Sequence, residues 1–420
     1  MRIKRFLTIL LTGILLTGLV SCGKEPEPEV IVEEVPTPTP TPEIVKTKVT
    51  YSYFDESMDD WLKKCEEEYE AKHEDIDIIL KKGDPENLSG RVADAFQVDS
   101  MEMGECITSG LATPIDSYMS KAGLHRDDYP ENVLNMFIKG SDLYGLPESY
   151  DTVALWYNKS IFDASGVSYP NGDTGWMNVV DILGSLTNEA DGVYGMAVDY
   201  AKLTPVMVTI YEMGGAIYDE EGNVADFGNA FTKAGIRCFV DLIDAGYIPS
   251  VESMDEKDAI NKLLDGEAAM IYGWASDYQA IKGSANAADY NCTYLPTLSG
   301  NRVTPMVGRA NCISESSNCK KEAFEWIAFL TKDSNAGKGF CEICHGIPAY
   351  GQTEQALLDS IGEANNLFVF AEEAKESSYV LPVIPDIKEK QAFISEELLS
   401  TFELKNSVDE ACIEICSKFN

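Results

Sequence analysis

The sequence predicts an α/β fold in which helices cover a mainly parallel sheet. Two observations support this prediction: apolar, β-branched segments of strand length recur after residue 47, and segments with helical spacing of apolar residues lie between them. The strand-like segments are Lys48–Phe54, Ile76–Leu80 and Val92–Val98. Because strands that alternate with helices build parallel sheets, we expect ligands in the loops beyond the carboxyl ends of the strands.

The predicted helices are spread along the rest of the chain. The first is Glu56–His73, which carries apolar residues on one side. Further helices are predicted at Ala230–Ala245, Lys257–Leu264, Asp277–Lys282 and Ser407–Phe419. Three tryptophans lie in core patterns, Trp61, Trp156 and Trp326, and Trp176 lies at the start of a helix.

The composition is that of a folded, strongly acidic protein. The chain has 420 residues, of which 45% are apolar, and a formal charge of −37. The apolar fraction is sufficient to bury a core. The negative charge repels phosphate backbones and anionic membrane surfaces, so we expect no nucleic-acid partner and interpret the acidity as an aid to solubility.

The first 21 residues have the features of a lipoprotein signal peptide. Arg2, Lys4 and Arg5 precede the apolar run Phe6–Val20, which is too short for a stable membrane span. The run ends in L-V-S-C, which resembles the lipobox that is cut before a cysteine, and this implies a diacylglycerol on Cys22. The alternative is an ordinary secretory signal beside a chance cysteine. The expected location is the outer face of the cell membrane of a Gram-positive cell, held there by the lipid alone.

Residues 22–46 are predicted to form an extended tether. The runs P-E-P-E and P-T-P-T-P-T-P have almost nothing to bury and favour a polyproline II conformation. Such a tether would hold the folded body away from the membrane.

The cysteines and histidines do not indicate a catalytic or metal site. Ten cysteines follow Cys22, and since their spacing forms no small disulfide framework we predict mostly buried free thiols. Cys341–His345 matches the C-x-x-C-H pattern of covalent haem, with a local disulfide or free thiols as the alternatives. The three histidines, His73, His125 and His345, form no ligand cluster, and the sequence has no nucleophile elbow and no P-loop. We therefore predict no catalytic residue, no metal and no cofactor.

Several collinear motifs resemble one family of binding proteins. They are Tyr144–Pro147 with Ala154–Phe162, Gly214–Ala216 with the turn Asp219–Asn223, Phe239–Gly246, Gly266–Met270 with Gly273–Trp274, Tyr294–Pro296, Glu322–Ile327 and Gly346–Ala349. Each motif is weak alone, but together they resemble the family 1 extracellular solute-binding proteins, the group that includes maltose-binding protein.

The resemblance implies a periplasmic-binding-protein-like fold, in which two α/β lobes enclose a ligand cleft. It implies an N-terminal lobe of residues 47–150 plus 296–333 and a C-terminal lobe of residues 151–295 plus 334–420. The chain is expected to cross between the lobes near Pro147–Asp151, Leu295–Pro296 and Thr331–Asn335. Closure of the lobes around a solute would be a hinge motion.

Trp274 is the strongest candidate for a ligand contact. It follows the strand-like run Ala268–Tyr272, and sugars stack their C–H faces on aromatic rings. The alternative is a structural tryptophan beneath the hinge. Asp55 and Asp277 are candidates for which helix N-capping is the competing role. The remaining candidates follow predicted strands, turns or the first crossing: Tyr53, Asp99, Ser100, Glu148, Tyr200, Arg309 and Tyr350.

The function implied by the resemblance is solute capture rather than catalysis. The expected ligand is a small solute, a carbohydrate or oligosaccharide, which a monomeric lipoprotein would deliver to the permease subunits of an ABC importer. Two other classes compete: a surface sensor that signals to a kinase, and a surface hydrolase or c-type haem protein.

Overall fold

A computed structural model describes residues 45–254, 257–361 and 364–419. The signal peptide, Cys22 and nearly all of the proposed tether lie outside the described residues. In the part of the chain that is described, none of the helices is both long and apolar enough to cross a membrane.

The described residues form twelve strands and eighteen α-helices. The strands are β1 (Thr47–Tyr53), β2 (Ile76–Lys82), β3 (Ala95–Asp99), β4 (Ile138–Lys139), β5 (Asp142–Leu143), β6 (Gly145–Asn158), β7 (Tyr194–Ala197), β8 (Ala268–Trp274), β9 (Tyr290–Thr293), β10 (Thr304–Ile313), β11 (Ile347–Pro348) and β12 (Ser378–Val380). The first nine helices are α1 (Asp59–Lys72), α2 (Leu88–Arg91), α3 (Met103–Thr108), α4 (Asp116–Ala122), α5 (Glu131–Asn135), α6 (Lys159–Ser165), α7 (Trp176–Leu186), α8 (Thr204–Glu212) and α9 (Ala230–Asp244). The other nine are α10 (Val251–Met254), α11 (Ala259–Leu264), α12 (Tyr278–Gly283), α13 (Lys320–Lys332), α14 (Ser334–Ile343), α15 (Gly351–Ile361), α16 (Phe368–Glu376), α17 (Ile387–Phe402) and α18 (Val408–Phe419).

Most of the predicted elements are present, and their ends have local causes. Helix α9 begins where the Asn229 side chain accepts a hydrogen bond from the Phe231 N–H at 2.8 Å, and Gly246 follows its end with φ +73°. The third strand begins at Ala95 rather than Val92. Its start is delayed because the Asp94 carboxylate accepts from the Thr50 N–H at 2.9 Å and so ties the preceding loop to β1.

The central sheet has the order β2-β1-β3-β10-β6-β8-β7, with β9 and β11 also on β6 and β12 on β10. The pairs β1–β2, β1–β3 and β7–β8 are parallel, whereas β10–β3, β10–β6 and β6–β8 are antiparallel. The prediction of a mainly parallel sheet is therefore wrong. Parallel pairs lie at the two ends of this order and between β10 and β12, whereas β10 and β6, which join the two ends, run antiparallel to their neighbours in the order.

The long strand β6 runs through both ends of this sheet. Its residues 145–152 pair with β10, and its residues 153–158 pair with β8 and β9. Because side chains alternate along a strand, Ala154 and Trp156 enter one hydrophobic cluster, while Val153, Leu155 and Tyr157 enter another. One strand is thus built into two cores.

The chain returns to the β1 end of the sheet after β10. Trp61 of α1 donates from Nε1 to the Ala336 carbonyl of α14 at 2.9 Å, and its ring lies 5.3 Å from the Phe340 ring. The crossing expected near Thr331–Asn335 stays a prediction, although residues 334–343 pack against the first helix. We propose that the third crossing lies within residues 378–387, where Val380 packs on one cluster and Ile384 on the other.

The core predictions for tryptophan are confirmed. Trp61, Trp156 and Trp326 are at most 7% exposed, and α7 begins at Trp176. The ten cysteines of the described residues are unbonded thiols, six of them buried, in agreement with the sequence prediction.

Candidate functional site

A cleft of about 700 Å³ lies where β8, β10 and the turn after β3 meet helices α8 and α17. Its lining combines sulfur-containing, aromatic and polar side chains: Glu86, Met101, Lys202, Met207, Trp274, Met306, Lys388, Gln391, Ser395 and Glu396. Glu86, Met101 and Met306 come from the β1 end of the sheet and the others come from the β7 end or α17. The cleft therefore lies between the two halves that β6 joins, and its volume is that of a small-molecule site.

Trp274 is the aromatic residue of this cleft, and it ends strand β8. Its N–H donates to the Asp277 carboxylate at 2.7 Å, and its carbonyl accepts from the Trp156 indole at 3.0 Å. A Cβ on the preceding Gly273 would lie 2.6 Å from the Trp156 ring and 2.7 Å from Asp277. Only glycine allows both groups to approach the Trp274 backbone this closely.

Asp151 of β6 contacts the same turn from the other side. Its carboxylate accepts from the Ser276 N–H at 3.3 Å. Burial raises the pKa of Asp151 to about 7, and the Asp277 carboxylate adds to this rise although the Ser276 and Ala275 N–H groups oppose it. Burial also raises the pKa of Asp277 to about 6, against the opposing effect of the Trp274 N–H and Lys202. Asp151 is not among the site residues predicted from the sequence.

An ion pair joins the two halves at one side of the cleft. Lys388 of α17 donates to Glu102 at 3.0 Å, and Glu102, 4% exposed, also binds the buried Arg91. Glu102 therefore compensates two cations, one from each half. None of these three residues was predicted, because a lysine on an amphipathic helix gives no sequence signal of its partner.

Five of the predicted residues lie together at the ends of β1 and β3, beside β6 and β10. Arg309 donates to Asp55 at 2.6 Å and pairs in register with Asp99, while the Ser100 hydroxyl accepts from the Gly308 N–H at 3.1 Å. Burial raises the pKa of Asp55, but hydrogen bonds from Ser57 and Arg309 outweigh it and leave the pKa below its usual value. Asp55 also caps the first helical turn through Ser57 N, which was the competing role.

Glu148 is held by two side-chain amides. Gln97 and Asn311 donate to its Oε2 at 2.8 and 3.0 Å. Burial raises the pKa of Glu148 and also that of Asp99, and Arg309 opposes both shifts only in part. This cluster is crowded with protein partners, and its members do not line the cleft.

The structure does not bring the remaining candidates to the cleft. Tyr53 is buried beside Tyr51, with ring centroids 6.2 Å apart. Tyr200 donates to the Pro249 carbonyl and packs on Phe402, and Tyr350 packs against Tyr129. Their roles in ligand contact remain predictions. Phe54 was not predicted, although its ring centroid lies 4.7 Å from the Arg91 guanidinium and 5.2 Å from that of Arg309. An aromatic residue directly after a strand is the sequence signal that could have found it.

The C-x-x-C-H segment lies at the end of α14. Cys344 is buried, burial raises its pKa well above the usual value, and the next residues return the chain to β6, where Ile347 pairs with Tyr150. Among the described ranges no group of three or more His, Cys, Asp or Glu side chains is placed to hold a metal. The segment is part of the framework around β6.

Two halves that share β6, with a cleft between them that ends on a half-buried tryptophan, define a solute-binding protein. Comparison with known families agrees with this class. Residues 51–337 match the family model of the bacterial extracellular solute-binding protein. The chain therefore belongs to the bacterial extracellular solute-binding protein family.

Individual relatives are distant in sequence and close in fold. A binding protein of Brucella abortus (strain 2308) is 22% identical over 441 residues, which cover 100% of this chain and 98% of the relative. The ABC substrate-binding protein Lmo0181 from Listeria monocytogenes, solved in complex with cycloalternan, superposes with a TM-score of 0.78 at 18% identity, covering 89% of this chain and 98% of the other. The sugar-binding protein MalE from Xanthomonas citri superposes with a TM-score of 0.77 at 15% identity. The superposition covers 89% of this chain and 96% of the other. These structures have the two-lobed fold.

Proposed function

We propose that the chain is the sugar-capturing subunit of an ABC importer and that it takes an oligosaccharide into the cleft. The single observation that supports this most is the cleft of about 700 Å³ with Trp274 on its wall. An indole face beside amide, hydroxyl and charged groups suits a ligand with C–H faces and many hydroxyls. The similar Listeria protein, whose structure contains cycloalternan, supports the same ligand class.

Capture would proceed by closure of the two halves, with β6 and β10 as the strands that bend. A solute that touches both walls binds the closed form better, and it shifts the equilibrium only by that difference in affinity. In this mechanism Trp274 stacks on the sugar, while Gln391 and Ser395 of α17 meet its hydroxyls. The closed complex would then dock on the permease subunits. We infer binding without catalysis, since the family comprises binding proteins.

We further propose that the protein is a monomeric lipoprotein on the extracytoplasmic face of the membrane. The support is the L-V-S-C sequence that ends at Cys22 and the Pro-rich run that follows it. Two acyl chains on one cysteine hold a protein at the membrane stably. Replacement of Cys22 by Ser should release the protein from the membrane fraction and abolish incorporation of radiolabelled palmitate, while retained labelling would contradict the anchor.

A thermal-shift screen with a signal-free protein tests the ligand class. The panel comprises maltose, maltotriose, mannotriose and arabinotriose, with amino acids and spermidine as the non-sugar arm. Since a ligand that binds only the folded state at 100 times its Kd stabilises by about 2.7 kcal/mol, a true sugar should raise the melting temperature by several degrees. A shift by an amino acid or polyamine alone would overturn the sugar assignment, and calorimetry of the best compound gives its affinity.

A further inference from the structure

The turn that carries Trp274 into the cleft is held at three points by named side chains. We call residues 273–277 the Trp274 turn. Asp277 accepts from the Trp274 N–H at 2.7 Å, the Trp156 indole donates to the Trp274 carbonyl at 3.0 Å, and Asp151 accepts from the Ser276 N–H at 3.3 Å. The N–H and the carbonyl of Trp274 are therefore both hydrogen-bonded to side chains, in addition to the pairing of β8 with β6.

Two of these contacts come from β6, the strand shared by both halves. Asp151 lies in the segment that pairs with β10, opposite Val307, whereas Val153, two residues later, is opposite Trp274 itself. Thus side chains at both ends of the segment 151–156 of β6 contact the Trp274 turn. A movement of the turn relative to β6 would break hydrogen bonds to Asp151 and Trp156.

We propose that Asp151 and Asp277 are positioning residues: Asp151 holds the Trp274 turn on β6, Asp277 closes the turn on the Trp274 N–H, and together they set the orientation of the tryptophan that faces the cleft. The expected effect of these residues on sugar affinity rests on the proposed function, whereas their role in holding the Trp274 turn does not. Neither residue lines the cleft, so each acts through Trp274 rather than by touching the solute.

The carboxylates act in their charged form, because a carboxylate accepts an N–H hydrogen bond more strongly than a neutral acid. The charged groups that face Asp277 are Asp199, Asp258 and Lys202, and Asp151 also lies nearby. Asp151 faces Asp277, with the Tyr150 hydroxyl and the Cys344 thiol as further titratable neighbours. Lys202 is thus the single cation among these neighbours, and it also binds Asp199 at 2.9 Å.

Because of this arrangement, the hydrogen bonds that Asp151 and Asp277 accept from the Trp274 turn should depend on pH in the neutral range. The raised pKa values of Asp151, about 7, and Asp277, about 6, mean that both take up protons as the pH falls from 8 to 5. Protonation weakens the acceptors, so the Trp274 turn should loosen over this interval.

Hydrogen exchange of the sugar-free protein tests the role directly. After correction for intrinsic rates, the peptide that contains the Trp274 amide should exchange at least tenfold faster in Asp277→Ala, and within threefold of the parent in Asp277→Asn, since the asparagine oxygen still accepts. Protection in the parent should fall between pH 8 and pH 5, and Asp277→Asn should weaken that dependence. Equal protection in Asp277→Ala and the parent would overturn the proposal.

Two further measurements guard against a general loss of folding. The control is Asp94→Asn, whose carboxylate accepts from the Thr50 N–H and hydroxyl at a distance from the cleft and should leave the Trp274 amide unaffected. Acrylamide quenching supplies a second reading, because the other four tryptophans are at most 7% exposed and Trp274 is the accessible one. Asp151→Asn should raise the accessible fraction at pH 8, and an unchanged quenching curve would count against a role for Asp151.

The sugar arm separates this inference from the proposed function. With whichever panel trisaccharide gives the largest thermal shift, the affinity of the parent should fall from pH 8 to pH 5, and the affinities of Asp151→Asn and Asp277→Asn should vary less with pH. If no sugar binds but exchange responds as expected, the proposed function fails and the positioning role stands. If sugars bind and Asp277→Ala keeps both affinity and protection, the positioning role fails alone.

Discussion

At the scale of single residues, we expect Trp274 to be the side chain on which sugar binding depends most. Trp274→Ala should weaken binding of the best panel trisaccharide at least tenfold, which is about 1.4 kcal/mol, because the stacking face is lost. Trp274→Phe should keep most of the affinity. Isothermal titration calorimetry measures both variants, with Tyr169→Ala as the control, since Tyr169 is an exposed tyrosine that does not line the cleft. Unchanged affinity in Trp274→Ala would remove it from the site.

Arg309 is expected to matter for stability more than for recognition. Arg309→Met leaves Asp55, Asp99 and Glu148 without their shared cation, and should lower the free energy of unfolding by about 2 kcal/mol at pH 7.5. The pKa of Asp55 lies below its usual value, so that residue stabilises the fold above its unfolded pKa, and this contribution is what the variant loses.

The loss caused by Arg309→Met should shrink toward pH 5, because Asp99 and Glu148, whose pKa values are raised by burial, take up protons at higher pH than ordinary carboxylates do. Urea denaturation at the two pH values measures the difference. If Arg309→Met lowered the free energy of unfolding equally at both pH values, packing and not charge would explain the effect.

At the scale of elements, the contact between helices α8 and α9 is close enough to exclude a methyl group. A Cβ on Gly235 would lie 2.5 Å from the Ile210 Cα, and the Gly235 carbonyl accepts from the Thr209 hydroxyl at 2.8 Å. Gly235→Ala should therefore destabilise by about 2 kcal/mol despite the better helix propensity of alanine. Gly283→Ala, in α12 with no atom near its Cβ, is the matched control and should be neutral or stabilising in urea denaturation.

Two acidic residues from different helices meet in the interior. Glu212 of α8 and Glu373 of α16 are at most 1% exposed, and Arg302 approaches Glu373 at 3.5 Å. Burial raises the pKa of Glu212 to about 9 and that of Glu373 to about 7. Both are raised, so their contribution to stability is full below the ordinary glutamate pKa and is lost as the pH rises through the folded values.

Glu212→Gln should accordingly remove part of the pH dependence of unfolding. Glutamine can still accept from the Val303 N–H, which donates to Glu212 at 3.2 Å. Relative to the parent, the variant should gain about 2 kcal/mol of stability between pH 6 and pH 8. Urea midpoints at the two pH values give the comparison, and a constant difference between variant and parent would contradict the raised pKa.

The sequence predicted those elements whose signal is local. Strand β1 and helix α1 follow from apolar spacing, and the Asp55 cap follows from its position before a helix. The residues of the site were harder to predict than the elements. Glu148, for example, has the sequence context of a ligand contact, yet it hydrogen-bonds to Gln97 and Asn311, which lie 51 and 163 residues away. The packing of α14 on Trp61 of α1 joins positions 275 residues apart and has no local signature. What sequence patterns lack is this information on distant partners.

At the scale of the whole molecule, the family and the fold agree with the sequence analysis, while the lobe boundaries remain a proposal. The motifs around Gly273–Trp274 and Gly346–Ala349 carried the resemblance, and both lie against β6 in the structure. The glycines there have a steric cause: a Cβ on Gly346, whose φ is +111°, would lie 2.6 Å from the Tyr150 carbonyl. These two motifs are thus places where the backbone closely approaches the shared strand.

The alternation of side chains along β6 also bears on how the molecule melts. Val153 and Leu155 belong to one interior and Ala154 and Trp156 to the other, so neither interior can come apart while its neighbour keeps that strand in register. We therefore expect a single calorimetric peak with equal van't Hoff and calorimetric enthalpies, even though many chains of this size melt in steps. Two resolved peaks would mean that β6 frays from one interior first, and a solute bridging the cleft would then merge them.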